Sequence, residues 1–277
     1  MTQTAETAGE RATAGTRLLL VVAHPDDETF GCGSLLLHAA ARGLTTAVVC
    51  ATRGEAGEAA GSLTAMELGA IRERELRAAA TSLAVSRVDV LAFHDSGMAG
   101  PSAPGALVDA PMDAVIDQVR DHIDHFRPHV VVTLDAGDGH RDHVIIREAT
   151  LAAVERARWQ VASVYLHCLP TSLMTRWVDY MSEHDPSWEH LRGQVPGTPD
   201  DLITTVIDTA AHLDDRQRAI GMHASQRSPY DALPEGLLHA FLSTEHLRRV
   251  RPPWTGGRLE SDLDVGRRPD PRTVAGR

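Results

Sequence analysis

The chain has 277 residues, 43% of them hydrophobic, and a formal net charge of −11. That is enough apolar material for a full core, which excludes wholesale disorder, and the acidic balance excludes broad charge-driven binding to nucleic acid or an anionic membrane. All 27 basic residues are arginine, so Schiff-base chemistry, lysine-linked pyridoxal phosphate and a Walker-type P-loop are excluded as well.

Residues 1–16 read as a flexible arm, polar and without the apolar segment of a signal peptide. Leu18–Ala23 is a buried-strand pattern, and Gly33–Arg42 a helix stopped by Gly43. Thr45–Ala51 is the next strand, Met66–Leu83 a long amphipathic helix, and Val88–Phe93 a third strand. A helix near Met112–Phe126, a strand at Val130–Leu134 and a helix at Val144–Ala157 follow.

From about residue 159 the periodicity loosens. The polar stretch His184–Asp201 reads as a loop or lid, Leu202–Asp208 as an extended segment, and a helix runs to about His223. Trp177, Tyr180 and Trp188 suit a satellite core better than a lid. Residues 256–277, rich in Gly, Pro and charge, read as a flexible tail. Strands apolar on both faces that alternate with helices imply an α/β fold, a mostly parallel sheet covered on both sides, here with an elaborated C-terminal third. One domain over residues 17–255 is expected. No stretch reaches the roughly 18 apolar residues of a membrane span. Cys32, Cys50 and Cys168 are too few and too scattered for a disulfide framework or a CxxC metal site. A soluble, cytoplasmic protein is expected, with no nucleic-acid or membrane partner and its oligomeric state open.

Ligands of such folds gather at the carboxyl ends of the strands, and three polar clusters lie there. The first is Ala23-His24-Pro25-Asp26-Asp27-Glu28. So many ionisable groups at the end of a buried strand are costly unless something compensates them. His24 and Asp27 can chelate one metal ion, with Asp26 free to act as a base. Asp27 or Glu28 alone would be an ordinary helix-start acid, but the whole block points to function. The second cluster is Gly139-His140-Arg141-Asp142-His143. His143 offers a third ligand, His140 an acid–base or oxyanion group, and Asp142 a partner to orient His140. Three N/O ligands with one open position is the pattern of a catalytic zinc site rather than a structural one. The third, His94-Asp95-Ser96-Gly97-Met98, reads first as a turn, but its place on the same rim makes Asp95 a candidate substrate contact.

Two other motifs fail. Gly31-Cys32-Gly33-Ser34-Leu35-Leu36 begins like G-x-G-x-x-G but lacks the third glycine, and the acidic run before it would repel a pyrophosphate. His140-Arg141-Asp142 echoes a kinase catalytic loop in a chain without the lysine that would hold ATP.

With AHPDDE at 23–28, HRDH at 140–143 and HDSGM at 94–98, the chain resembles the PIG-L / LmbE-like zinc-dependent N-deacetylases, including their mycothiol-pathway members. Arg72-x-x-Glu75-Leu76 and His223-Ala-Ser-Gln226 support the match, which runs from about residue 17 to 227. The resemblance implies a Rossmann-like sandwich with His24, Asp27 and His143 as zinc ligands and Asp26 as general base toward a metal-activated water. It further implies that His140 stabilises the tetrahedral intermediate or protonates the leaving amine, oriented by Asp142, and that Arg72, Asp95 and Gln226 contact substrate. Two departures stand out: Arg141 where many relatives carry Pro, and Asp138 where mycothiol-pathway members place an aromatic hydroxyl.

The expected activity is hydrolytic removal of an acetyl or other acyl group from an N-acylated amino sugar. Zn2+ is the expected cofactor, with Fe2+ or another divalent transition metal also compatible with the ligand set. The alternatives are a same-family amidase acting on a larger amide or thiol conjugate, and a zinc-binding scaffold without catalysis.

Overall fold

A computed structural model of the chain describes residues 15–57, 63–184 and 196–266. Seven strands form one sheet: β1 (Arg17–Val22), β2 (Thr45–Cys50), β3 (Arg87–Val90), β4 (Val130–Leu134), β5 (Ser163–Cys168), β6 (Thr205–Asp208) and β7 (Thr244–Arg251). Their order is β3-β2-β1-β4-β5-β7-β6. The first five run parallel, and β7 pairs antiparallel with both β5 and β6. This is the expected α/β architecture, Rossmann-like in strand order.

Alternation along each strand builds two cores, one on either face of the sheet. Leu18, Leu20 and Val22 of β1 pack with Leu35 and Leu36 of α2 (Gly33–Ala41) and Leu76 of α3 (Ala65–Ser82), the helix whose start is fixed by a Thr64–Glu67 capping box. Leu19 and Val21 face the other way, onto Val115 and Ile123 of α4 (Met112–Phe126) and Ile146 and Ala149 of α5 (Arg141–Arg156). The short helix α1 (Asp27–Phe30) lies between β1 and α2.

The C-terminal third holds more regular structure than its sequence suggests. β5 is buried at all six positions, and α6 (Thr171–His184) follows it. Helices α7 (Leu213–Ile220) and α8 (Glu235–Leu242) precede β7. Trp177 joins Met181, Tyr230 and Phe241 in a satellite core, with Tyr180 against it, while Trp188 and most of the His184–Asp201 stretch lie outside the described residues. β7 reads TEHLRRVR, a charged string with no strand pattern. It is held by pairing on both sides and by ion pairs such as Arg249–Glu260 at 2.9 Å.

The expected flexible tail is corrected over residues 256–266. Glu260 pairs with Thr205 on the edge of β6, Leu263 is buried, and Asp262 binds His38 and Arg42. The free hydrogen-bonding edge of β6 is what this segment satisfies. Residues 267–277 and most of the N-terminal arm, 1–14, lie outside the described residues.

One buried ion pair ties these additions to the sheet. Arg216 of α7, 1% exposed, donates to Glu245 of β7 at 3.2 Å and to the carbonyls of Phe30, Gly31 and Phe241. Glu245 also accepts from the Leu35 amide and meets His167 of β5. Glu245→Gln keeps the shape and strands the guanidinium's charge, so unfolding in denaturant should show a loss of about 3–5 kcal/mol. A loss below about 1 kcal/mol would mean that the carbonyl dipoles alone compensate Arg216.

Candidate active site

The connections from β1 and β4 diverge to opposite sides of the sheet, so a crevice opens at their carboxyl ends, the usual ligand position of doubly wound folds. The Ala23–Glu28 segment leaves β1 there and Asp135–His143 leaves β4, while the loop after β3 reaches across so that the Ser96 amide donates to Asp142 Oδ2 at 2.9 Å.

Three residues converge in this crevice, the two rings by one nitrogen each and Asp27 by both carboxylate oxygens. His143 Nε2 lies 3.3 Å from His24 Nδ1 and 3.3 Å from Asp27 Oδ1, and His24 Nδ1 lies 3.6 Å from Asp27 Oδ2. Bonds of about 2.0–2.2 Å to a tetrahedral ion put ligand atoms about 3.4 Å apart, so the trio matches one face of such a site. Both rings turn their other nitrogen to a carboxylate: His24 Nε2 to Asp142 at 3.2 Å and Asp95 at 3.4 Å, His143 Nδ1 to Asp138 at 2.6 Å. The Asp27 carboxylate is fixed by the amides of Ala23 and His24. His140 is close enough that its ligand atom, with those of His24 and His143, lies within a 4.8 Å set. His24, Asp95 and Asp142 form a second such set, but there both carboxylates flank His24 Nε2 and orient the ring.

Burial works against a charged His24, yet the bonds to Asp142 and Asp95 and the charge of Asp27 outweigh it and hold the ring's pKa up at about 9. Burial likewise opposes charge on His143, and Asp27 and Asp138 overcome it. Burial favours a neutral Asp27, but the charge and hydrogen bond of His143 and the charge of His24 keep it well below the usual carboxylate range. Surroundings that draw protons onto these rings are equally favourable to a divalent cation among them.

Asp26 adjoins this trio in a backbone conformation that few non-glycine residues adopt, φ 112°. Its amide donates to Glu28, its carbonyl accepts from Thr29 and Phe30, and its carboxylate receives Arg72 Nη2 at 2.9 Å. Glu28 is in turn held by His223 at 2.8 Å in a fully buried pair. Burial raises Asp26 to about 6 despite the opposing charge of Arg72. Arg72 fits only because Gly54 lacks a side chain, since a Cβ there would collide with the guanidinium.

Several of the expected residues have partners inside the protein. Arg72 is buried and donates to the carbonyls of Gly54 and Pro25 and to the Asp26 carboxylate, with its Nε left without a partner. Asp95 is also spent internally, on His24 and the amides of Gly97 and Ala56. Asp142 sits at the start of α5 with its carboxylate turned inward to His24 and Ser96, and it touches His140 through its backbone amide, which donates to His140 Nδ1. That acceptor role leaves Nε2 of His140 carrying the proton. Burial and the neighbouring positive rings lower the pKa of His140, which keeps it neutral. Gln226 is half-buried beside the Arg72–Gly57 contact and donates to Ser225. Arg141 donates to the carbonyls of Ser96, Gly97 and Gly100 and so clamps the loop after β3.

Two spaces flank the cluster. One, about 220 Å³, is walled by Phe30, Met174, Tyr230 and His167 and reaches Asp27 and His143. The other, about 990 Å³, opens beside Asp95 between His94, Met98 and Met66. Sequence reasoning does not reach His167, although it too ends a strand on this rim. The missing signal is β5 itself, whose SVYLHC run is buried throughout yet interrupts its apolar residues with Ser163, Tyr165 and His167.

A Rossmann-like sheet that gathers His24, Asp27, His143 and the half-buried Asp26 at its switch point defines an α/β protein with a cluster of ionisable groups at that rim. Residues 19–154 match the PIG-L family, described as GlcNAc-PI de-N-acetylase. Over 280 residues the chain is 35% identical to the 1D-myo-inositol 2-acetamido-2-deoxy-alpha-D-glucopyranoside deacetylase of Rhodococcus jostii (strain RHA1), covering 90% of this chain and 94% of that one. The chain belongs to the PIG-L family. Its fold is shared by the N,N'-diacetylchitobiose deacetylase of Pyrococcus horikoshii (TM-score 0.60, 17% identity, 84% of this chain and 83% of that one). It is shared equally by the 4-carboxy-2-hydroxymuconate hydratase of Pseudomonas putida KT2440 (TM-score 0.58, 19% identity, 90% and 100%), so the fold alone does not select the reaction.

Arg141→Ala removes three bonds to loop carbonyls. Amide exchange at Ser96 and Gly97 should accelerate about tenfold or more, as expected for losing charge-assisted bonds of about 1.5–3 kcal/mol. Unchanged exchange would show that the loop holds its place without the clamp.

Proposed function

We propose that this chain is a metal-dependent N-deacetylase that hydrolyses the acetamide of an N-acetylated amino sugar. The observation that carries the reading is the convergence of His24 Nδ1, Asp27 and His143 Nε2 at 3.3–3.6 Å, with the half-buried Asp26 next to Asp27 in the chain. These three residues would hold the ion, and two nitrogens with one oxygen suit zinc, with Fe2+ compatible. The bound ion supplies Lewis-acid polarisation of the amide carbonyl and lowers the pKa of water toward about 7.

This chain's own residues do the rest. Asp26 takes a proton from the attacking water at its carboxylate, which Arg72 holds aimed. The water oxygen bonds to the acyl carbon, and the carbonyl oxygen, as negative charge develops on it, accepts a hydrogen bond from the Nε2–H of His140, which is neutral and oriented by the Asp142 amide. The C–N bond then breaks as Asp26 returns its proton to the departing nitrogen, giving a carboxylic acid and a primary amine. The inositol-linked 2-acetamido sugar named for the Rhodococcus relative supports a glucosaminide as the substrate class. A second reading, a larger amide, draws on the apolar wall of Phe30, Met174 and Tyr230 beside Asp27 and His143. A scaffold has no use for Asp26 and His140 in these positions. No helix among the described residues is long and apolar enough to cross a membrane, and the three cysteines are buried and free, which suits a reducing cytoplasm.

The test is primary-amine release from free, inositol-linked, lipid-linked and aminoglycoside-like N-acetylglucosaminides, with zinc and again with chelator. Chelator-sensitive release is expected. Silence across the panel from zinc-loaded protein would sink the amino-sugar reading. Asp26→Ala should bind metal stoichiometrically while turnover falls about 10²- to 10⁴-fold, and full turnover would remove Asp26 as base. His140→Ala should cost about 10²- to 10³-fold in kcat, and an effect confined to KM would remove it from the oxyanion.

A further inference from the structure

We infer that Asp138 is a positioning residue that sets the affinity of the site for its divalent cation, by fixing the tautomer of His143. The inference rests on His143 being a metal ligand, as proposed above. A neutral imidazole carries one N–H, and which nitrogen bears it depends on the partner outside. Asp138 Oδ2 lies 2.6 Å from His143 Nδ1, a charge-assisted distance, so the proton stays on Nδ1. With the ion bound and the ring neutral, this leaves the Nε2 lone pair for the ion, at the point where Nε2 lies 3.3 Å from Asp27 Oδ1 and from His24 Nδ1. Asp138 does not join the donor trio, because the His143 ring stands between them.

His24 is arranged in reverse, with Nε2 outward on Asp142 and Nδ1 inward. The two orienting carboxylates differ in setting. Asp142 is fully buried, whereas the Asp138 side chain is 43% exposed. Asp138 owes its place to the turn Asp135–His140, where Ala136 and Gly139 take positive φ, and its Oδ1 accepts the His140 amide at 3.1 Å. One carboxylate therefore joins two jobs that substitution can separate. Asparagine retains an oxygen for the His140 amide but turns an NH2 toward His143 Nδ1. The ring then does best as an acceptor there, which moves its proton to Nε2 and closes the donor that faces Asp27.

The experiment titrates metal-free protein with zinc against a chromophoric chelator and follows thermal unfolding of the same samples. Asp138→Asn should weaken the zinc Kd by about ten- to a hundred-fold and leave the metal-free unfolding midpoint in place. Turnover on an N-acetylglucosaminide should recover as zinc is raised. His143→Ala should abolish stoichiometric binding. An unchanged Kd in Asp138→Asn alongside a lost site in His143→Ala overturns this inference alone. A midpoint lowered equally with and without metal, at unchanged Kd, assigns Asp138 a structural role and overturns it too. No stoichiometric zinc in the unaltered chain overturns the metal reading, and this inference falls with it.

Discussion

Five aspartates and three histidines share this rim, and four of them, His24, Asp95, Asp142 and His143, are buried. An isolated charge in such a place is unsustainable, so each group must face one of opposite sign. His24 illustrates the constraint, since carboxylates approach both of its ring nitrogens. Asp27 lies between His24 and His143, and Asp138 closes the outer side of His143. Any one of these groups makes sense only with the others present. That is why loops from β1, β3 and β4 meet at this point, and why Arg141 and the Ser96 amide hold the loop after β3 against α5.

The same constraint explains the strained residue. A non-glycine residue at φ 112° costs on the order of 1–3 kcal/mol, which the surroundings must offset. Glu28, held by His223, receives the Asp26 amide, and Arg72 grips its carboxylate. The Asp26 carboxylate meets Arg72, while Asp27, the next residue, meets His24 and His143. Two adjacent aspartates thereby take different chemical tasks.

Groups used in this way are unavailable for recognising a ligand. Arg72 and Asp95, polar and on the right rim, already hold Asp26 and His24 inside the protein, although Arg72 Nε is left without a partner. The walls of the space beside Asp27 come instead from the C-terminal third, from His167, Met174 and Tyr230. That third is anchored by the buried Arg216–Glu245 pair, which also touches Phe30 and Gly31 at the foot of the site. The sheet positions the reacting groups, and the appended elements shape what can approach them.

Local order was legible in the sequence. The period-2 and period-3.6 patterns through residue 157 place strands and helices within a few residues, because burial on both faces leaves β1, β2 and β4 no alternative pattern. The clusters at 23–28, 94–98 and 140–143 are recognisable as a rim because their charge interrupts those apolar runs. β5 and β7 were not legible, the first because Ser163, Tyr165 and His167 break its apolar run and the second because its arginines, half-exposed and paired with β5 alone at Arg248, Arg249 and Arg251, carry no strand pattern. The same holds for partners. The identity of the donor residues lies in short spacings, but Asp142 turning to His24 across 118 positions, or Arg72 to Asp26 across 46, depends on how the chain closes. Composition and periodicity decide which side chains leave water, whereas only the folded chain decides which opposite charge each one then meets.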